Sequence, residues 1–216
     1  PVVALKRAMK VKKQEKSTVN LIIAVGETKE KVIENIKKYT VEENIKKAFE
    51  LSKAKNEAQT RYLRIKGAQI REYQKMLSYI IFNNPSKKLN LEKLTKQKYS
   101  QSELWKYGIS GDLPIILVKI KDSNDTYVVK EVLKAYEFMR TKGFETELVI
   151  IDEEKYSYEN YVMEDIEEAI LNSQLSYLKN IRGGIFQINK NEISKEDMNL
   201  LQFISGIIID SKKGGI

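Results

Sequence analysis

Leu104-Trp105-Lys106-Tyr107-Gly108-Ile109-Ser110-Gly111-Asp112-Leu113-Pro114 is the stretch on which the fold turns. Ser100 and Glu103, just ahead of it, stand at capping-box spacing, which predicts a short helix starting there. Gly108 falls where a left-handed residue closes such a helix, since glycine has no Cβ to clash at positive φ. Ser110-Gly111-Asp112 supplies turn chemistry. Pro114 then opens the apolar run Ile115 to Ile120, at a position where a strand loses no ladder donor.

Downstream of Pro114, short apolar runs alternate with helical stripes. Strands are predicted at 115–120, 147–151, 184–188 and 206–210, and helices at 127–142, 159–172 and 195–205. Val128, Val132, Tyr136 and Met139 line one face of the first helix, which Gly143 closes, and Val162, Ile166, Ala169 and Ile170 line the second. Ser194 and Asp197 mark the start of the third. Near-continuous apolar strands joined by helices imply a small, mostly parallel, helix-covered sheet.

Upstream, the period is different. Val3, Leu5, Met9 and Val11 alternate with polar neighbours, as do Val19, Leu21, Ile23 and Val25, around the polar turn Lys12 to Ser17. Period-two patterning on both sides of a turn predicts a β-hairpin, and a lone hairpin is marginal in water, so its partner strands are expected elsewhere. From Thr28 the spacing becomes helical through Val32, Ile33 and Ile36. Thr40 and Glu43 introduce a long helix that Gly67 bends or breaks. Gln69, Ile70, Tyr73, Met76, Leu77 and Ile80 give a cleaner apolar stripe, and 89–96 a weak short helix after the Asn83-Asn84-Pro85-Ser86 stop. The fold class is therefore α/β: an N-terminal β-hairpin (1–26), a helical linker segment (27–99) and an α/β domain (100–216).

Composition excludes more than it selects. The 216 residues contain neither His nor Cys, so a Ser-His-Asp triad, a thiol nucleophile, a disulfide framework and a thiolate zinc site are all ruled out. The net charge of +8 conceals two opposite halves. Residues 1–100 hold 24 Lys and Arg against 10 Asp and Glu, and residues 101–216 hold 14 against 20. Lys dominates the basic half with little aromatic interleaving, which favours solvated helix faces over a nucleic-acid surface. No apolar run approaches the ~20 residues that span a bilayer. The expected setting is cytoplasmic, without nucleic acid and without membrane contact.

Two places can carry chemistry. The first is the 104–114 stretch, where Trp105 and Tyr107 offer aromatic faces for a sugar ring and Asp112 a carboxylate for its hydroxyls. Against a sugar site stands topology: Asp112 precedes the first strand, whereas open α/β sheets bind ligands beyond the carboxyl ends of their strands. Gly108, Ser110, Gly111, Asp112 and Pro114 then read as a structural turn, with Asp112 accepting amide hydrogen bonds from its own turn. The second place is the set of carboxyl-end loops, with Asp122, Asp152 and Asp210 on one edge. Hard carboxylate oxygens there would suit Mg²⁺ and phosphoryl transfer. Arg182-Gly183-Gly184 precedes a strand rather than a helix, so its glycines predict a tight turn and no phosphate cradle.

The sequence LWKYGISGDLPIILVKI (104–120) resembles a segment of cyclic β-1,2-glucan synthases and 1,2-β-oligoglucan phosphorylases. The resemblance extends upstream to PVVALKRAMKV and VNLIIAVGETKEKVIENIKKY, and downstream to VLKAYEFMRTKGFETELVIIDEE and IRGGIFQINKNEISKEDMNLL. It implies an internal fragment of a phosphorylase module similar to cellobiose phosphorylase, with the hairpin a remnant of its β-sandwich. It also implies a parent enzyme in which phosphate attacks while one carboxylic acid protonates the leaving oxygen. That acid lies in a helical toroid outside this chain. The resemblance thus leaves this chain no catalytic residue, metal or cofactor, and gives it an accessory or scaffolding role. Its expected partners are the rest of the parent enzyme and, as a candidate ligand, β-glucan. An Mg-dependent phosphoryl-transfer domain and a basic nucleic-acid-binding fragment are the alternatives.

Overall fold

The computed structural model describes residues 4–82, 100–154 and 161–213. The chain forms two compact units, residues 1–58 and 59–216. The first holds α1 (Lys29–Tyr39) and most of α2 (Glu42–Tyr62). Thr28 caps α1 by accepting from the Lys31 amide, and pairs four residues apart, Glu42–Lys46 and Glu43–Lys47, line α2. Neither helix buries a side chain.

The expected hairpin takes a different form. Its turn is present, with Gln14 at φ 69° and the Glu15 amide donating to the Lys12 carbonyl at 3.1 Å. The flanking stretches run without secondary structure, and no strand forms among the described residues 4–28. Alternation prepares a segment for a sheet, but two strands alone do not bury enough surface to hold a ladder.

The second unit begins where α2 unwinds. Arg64, at φ 53°, turns the chain, so the break lies ahead of Gly67, which is the first residue of α3 (Gly67–Ile81). After the 3-10 helix Gln101–Tyr107 come β1 (Ile115–Ile120), α4 (Thr126–Thr141), β2 (Glu147–Asp152), α5 (Tyr161–Leu171), β3 (Ile185–Asn189), α6 (Lys195–Ile204) and β4 (Ile207–Asp210). The expected helix at 89–96, the Asn83–Ser86 stop and the expected first residues of α5 lie outside the described residues.

The four strands are all parallel, in the order β3-β2-β1-β4. The chain therefore moves one way along the sheet through β3 and then crosses to the other side of β1. Right-handed crossovers in opposite directions must use opposite faces. One face accordingly packs Ile116, Val118, Ile120, Leu148 and Ile150 against α4, α5 and α3. The other packs Leu117, Val149, Ile151 and Phe186 against α6 and the 3-10 helix. Strands buried on both faces explain the continuous apolar runs. Helix α3, expected in the linker, packs with α4: the Tyr73 and Phe138 rings lie 5.7 Å apart, and Tyr73 and Gln69 donate to Glu131 at 3.2 and 2.8 Å.

Candidate functional site

At the amino edge of the sheet the 104–114 stretch folds as its turn chemistry requires. Ser100 caps the 3-10 helix by accepting from the Ser102 amide, and Gly108 closes it at φ 76°. The Tyr107 hydroxyl donates to Asp197 at 2.8 Å, and the Lys106 ammonium reaches the same carboxylate oxygen at 2.8 Å. Burial alone would raise the Asp197 carboxyl. Hydrogen bonds from Lys106, Ser194 and Tyr107 outweigh it and hold the group below the usual carboxylate range. Tyr107 is thus a strut to α6 rather than an open platform.

Trp105 remains 63% exposed, its indole N–H donating to the Ser110 carbonyl at 3.2 Å. Gln101 donates to the same carbonyl at 2.8 Å and to Asp112 at 2.7 Å. Asp112 is also exposed, paired with Arg182 at 3.5 Å. Its carboxylate accepts from these two side chains, while its own amide donates to the Ser110 hydroxyl. The amides of the turn go elsewhere. Ser110 and Gly111 donate to the two carboxyl oxygens of Glu147 at 3.1 and 3.2 Å, and Gly183 donates at 3.5 Å. The anchor expected at Asp112 is Glu147, which is fully buried at the start of β2.

A second buried group completes this lock. The Tyr136 hydroxyl lies 2.6 Å from the Gly183 carbonyl and 3.1 Å from that of Thr146, and Arg140 donates to Gly183 at 2.8 Å. Burial pushes the Tyr136 phenol up to about 12, with Arg140 opposing the shift. Gly184 tolerates no side chain: a Cβ there would stand 2.0 Å from the Leu178 carbonyl oxygen. No sequence signal separates Glu147 from an ordinary solvated residue beside a strand. Tyr136 was visible only as part of a core stripe.

The carboxyl edge is closed by charge pairs. Lys119 lies 2.9 Å from Glu153, Lys121 3.5 Å and Lys190 3.6 Å, and Lys121 also meets Asp210 at 3.2 Å. Burial would raise the Glu153 carboxyl, but the Lys119 hydrogen bond and the charges of Lys119, Lys190 and Lys121 hold it below the usual range. Asp210 is lowered in the same way, burial being offset chiefly by Lys121.

The three carboxylates considered for Mg²⁺ do not converge. Asp122 accepts from Asn124, Asp152 from the Glu154 amide and Asn189, and Asp210 from Lys121. Among the described residues no group of three acidic side chains could hold a metal ion. Nor is any helix among them long and apolar enough to cross a membrane.

No family model matches the chain. Across its whole length, however, it is similar to a known enzyme. The cyclic beta-(1,2)-glucan synthase NdvB of Rhizobium meliloti (strain 1021) is 25% identical over 217 residues, covering 100% of this chain and 8% of that protein. The likeness is distant, and the chain spans only that small share of its relative. It marks a segment related to a carbohydrate-active enzyme.

Proposed function

We propose that this chain is an accessory α/β segment of a large enzyme that synthesises or phosphorolyses β-1,2-glucans, and that it holds no catalytic group of its own. The observation that carries this reading is the end-to-end similarity to a cyclic β-1,2-glucan synthase, of which the matching region is 8%. The chemistry of the two sheet edges supports it. The amino edge spends its buried polar groups on fixing its own turns. The carboxyl edge, where an α/β enzyme of this topology would hold substrate, is filled by the Lys–Glu–Asp cluster. With neither His nor Cys in the sequence, acyl transfer through a His-activated nucleophile is excluded. The segment's work is then to support and shape the neighbouring catalytic domain of its parent.

The test has two arms. The purified chain, given β-1,2-gluco-oligosaccharides and inorganic phosphate, is expected to release no glucose 1-phosphate. The complete gene product that carries it is expected to act on β-1,2-glucans. Turnover by the chain alone, or a complete gene product inert on β-1,2-glucans, overturns the reading.

A further inference from the structure

Away from both sheet edges, a cavity of about 680 Å³ opens between the end of α2, α4, α5 and the turn that follows α5. Its volume falls within the range of small-ligand sites, ~300–1,000 Å³. The buried side chains Leu63, Leu133, Ala169 and Leu175 supply its apolar lining. Tyr62 stands in its wall and is 63% exposed, held there because α2 unwinds at the left-handed Arg64 while the next residue, Leu63, plugs into the core.

The polar groups of the wall are of two kinds. Lys134 is paired with Glu131, and Glu168 accepts from Asn172. Arg64, Lys130, Glu137 and Asp165 also line the cavity, and their side chains have no hydrogen-bond or ion-pair partner among the described residues. Glu137 is partly desolvated, and burial raises its carboxyl.

The charge of the wall balances. Arg64, Lys130 and Lys134 stand against Glu137, Asp165 and Glu168. A phosphate or polyanion would meet as many carboxylates as cations, and a metal or cationic peptide as many cations as carboxylates. A neutral polyol meets no such penalty. Its hydroxyls donate to carboxylates and accept from Lys or Arg, and its C–H faces lie on an aromatic ring and an aliphatic floor.

We propose that this cavity binds a short stretch of neutral gluco-oligosaccharide, with Tyr62 as the stacking surface and Glu137, Asp165, Arg64 and Lys130 as the hydroxyl contacts. The choice of β-1,2 linkage for that ligand rests on the functional reading above. The assignment to a neutral oligosaccharide rests on the cavity itself. The segment would then hold the glucan chain at a distance from the reacting bond.

The experiment is calorimetric titration of the full 216-residue chain with a β-1,2-linked and a β-1,4-linked gluco-oligosaccharide of equal length, with circular dichroism melts of every variant. Saturable binding of the β-1,2 ligand is expected. Tyr62→Ala, and separately Glu137→Gln, should weaken it about tenfold, which corresponds to ~1.4 kcal/mol. Trp105→Ala should leave it unchanged. No saturable binding to either sugar overturns the proposal, as does binding that both cavity variants leave intact. Loss of binding in Trp105→Ala alone puts the sugar on the amino-edge turn and also overturns it. Equal dependence on Tyr62 and Glu137 with preference for the β-1,4 ligand upholds the cavity and removes the β-1,2 assignment.

Discussion

The two ends of the parallel sheet bury acidic side chains by opposite means. At the amino end, Glu147 forms no ion pair among the described residues and is held by three backbone N–H groups from two separate loops. At the carboxyl end, Glu153 is surrounded by three lysines, one of which it shares with Asp210. Amide hydrogen bonds are directional, so the first arrangement fixes the paths of residues 110–111 and 183 relative to β2. Ion pairs with long side chains are redundant and less directional, so the second closes the edge without fixing any one loop. The amino end is a lock, and the carboxyl end a plug.

The largest expected effect lies in the lock. Glu147→Ala takes the acceptor from three amides, that of Gly183 buried and those of Ser110 and Gly111 partly buried, at ~1–3 kcal/mol for each group that water does not reach. A loss of roughly 3 kcal/mol or more is expected in urea unfolding, a large fraction of the ~5–15 kcal/mol of a typical domain. Glu147→Gln replaces one accepting oxygen with a donor and should fall between. Gly184→Ala tests the same loop by sterics, since its Cβ would overlap the Leu178 carbonyl, and it should be comparably severe. A Glu147→Ala protein as stable as the wild type would remove the distinction between the two ends.

The plug should respond to acid. Glu153 and Asp210 both have carboxyls held below their unfolded values. Their contribution is therefore present above the unfolded pKa of ~4 and is lost as pH falls through the lower folded value. Melting temperature measured from pH 7 down to about pH 3 should drop, and the drop should be shallower in Glu153→Gln, so that the two curves converge in acid. Parallel curves would show that the cluster adds nothing that titrates. At neutral pH, Glu153→Gln should cost less than Glu147→Ala, because the lysines it releases are partly open to solvent.

Much of this fold was legible from residue order. The four apolar runs between helical stripes locate β1 to β4 within a residue or so, because strands covered on both faces must be apolar on both. Gly108 was readable as a helix stop, since only a few residues adopt its φ cheaply. What stayed hidden depends on contacts distant in sequence. Glu147 lies 36 residues from Gly111 and Gly183 alike, and nothing local marks it as buried. The stripe on α3 announces an apolar face without naming α4 as its partner. The alternation in residues 3–25 signals a strand-forming segment, yet pairing requires neighbours that local pattern does not supply.

The smallest expected effect belongs to Asp112, the residue that the sequence alone singled out. A carboxylate after two glycines and before a strand looks like the acceptor for its own turn, and on that basis Asp112→Ala should be costly. The structure gives that task to Glu147. Asp112 is left on the surface with a Gln101 hydrogen bond and a long contact to Arg182, their side chains 55% and 70% exposed. Exposed pairs of this kind contribute ~0–1 kcal/mol, because solvent screens the charges and ordering long side chains costs entropy. Its backbone amide keeps its bond to Ser110 in any variant. Asp112→Ala should therefore shift the urea midpoint by less than a third of the shift in Glu147→Ala, and raised salt should narrow even that difference. Comparable losses in the two variants would mean that the turn is held from the surface as firmly as from within, and the lock would then comprise both carboxyl groups.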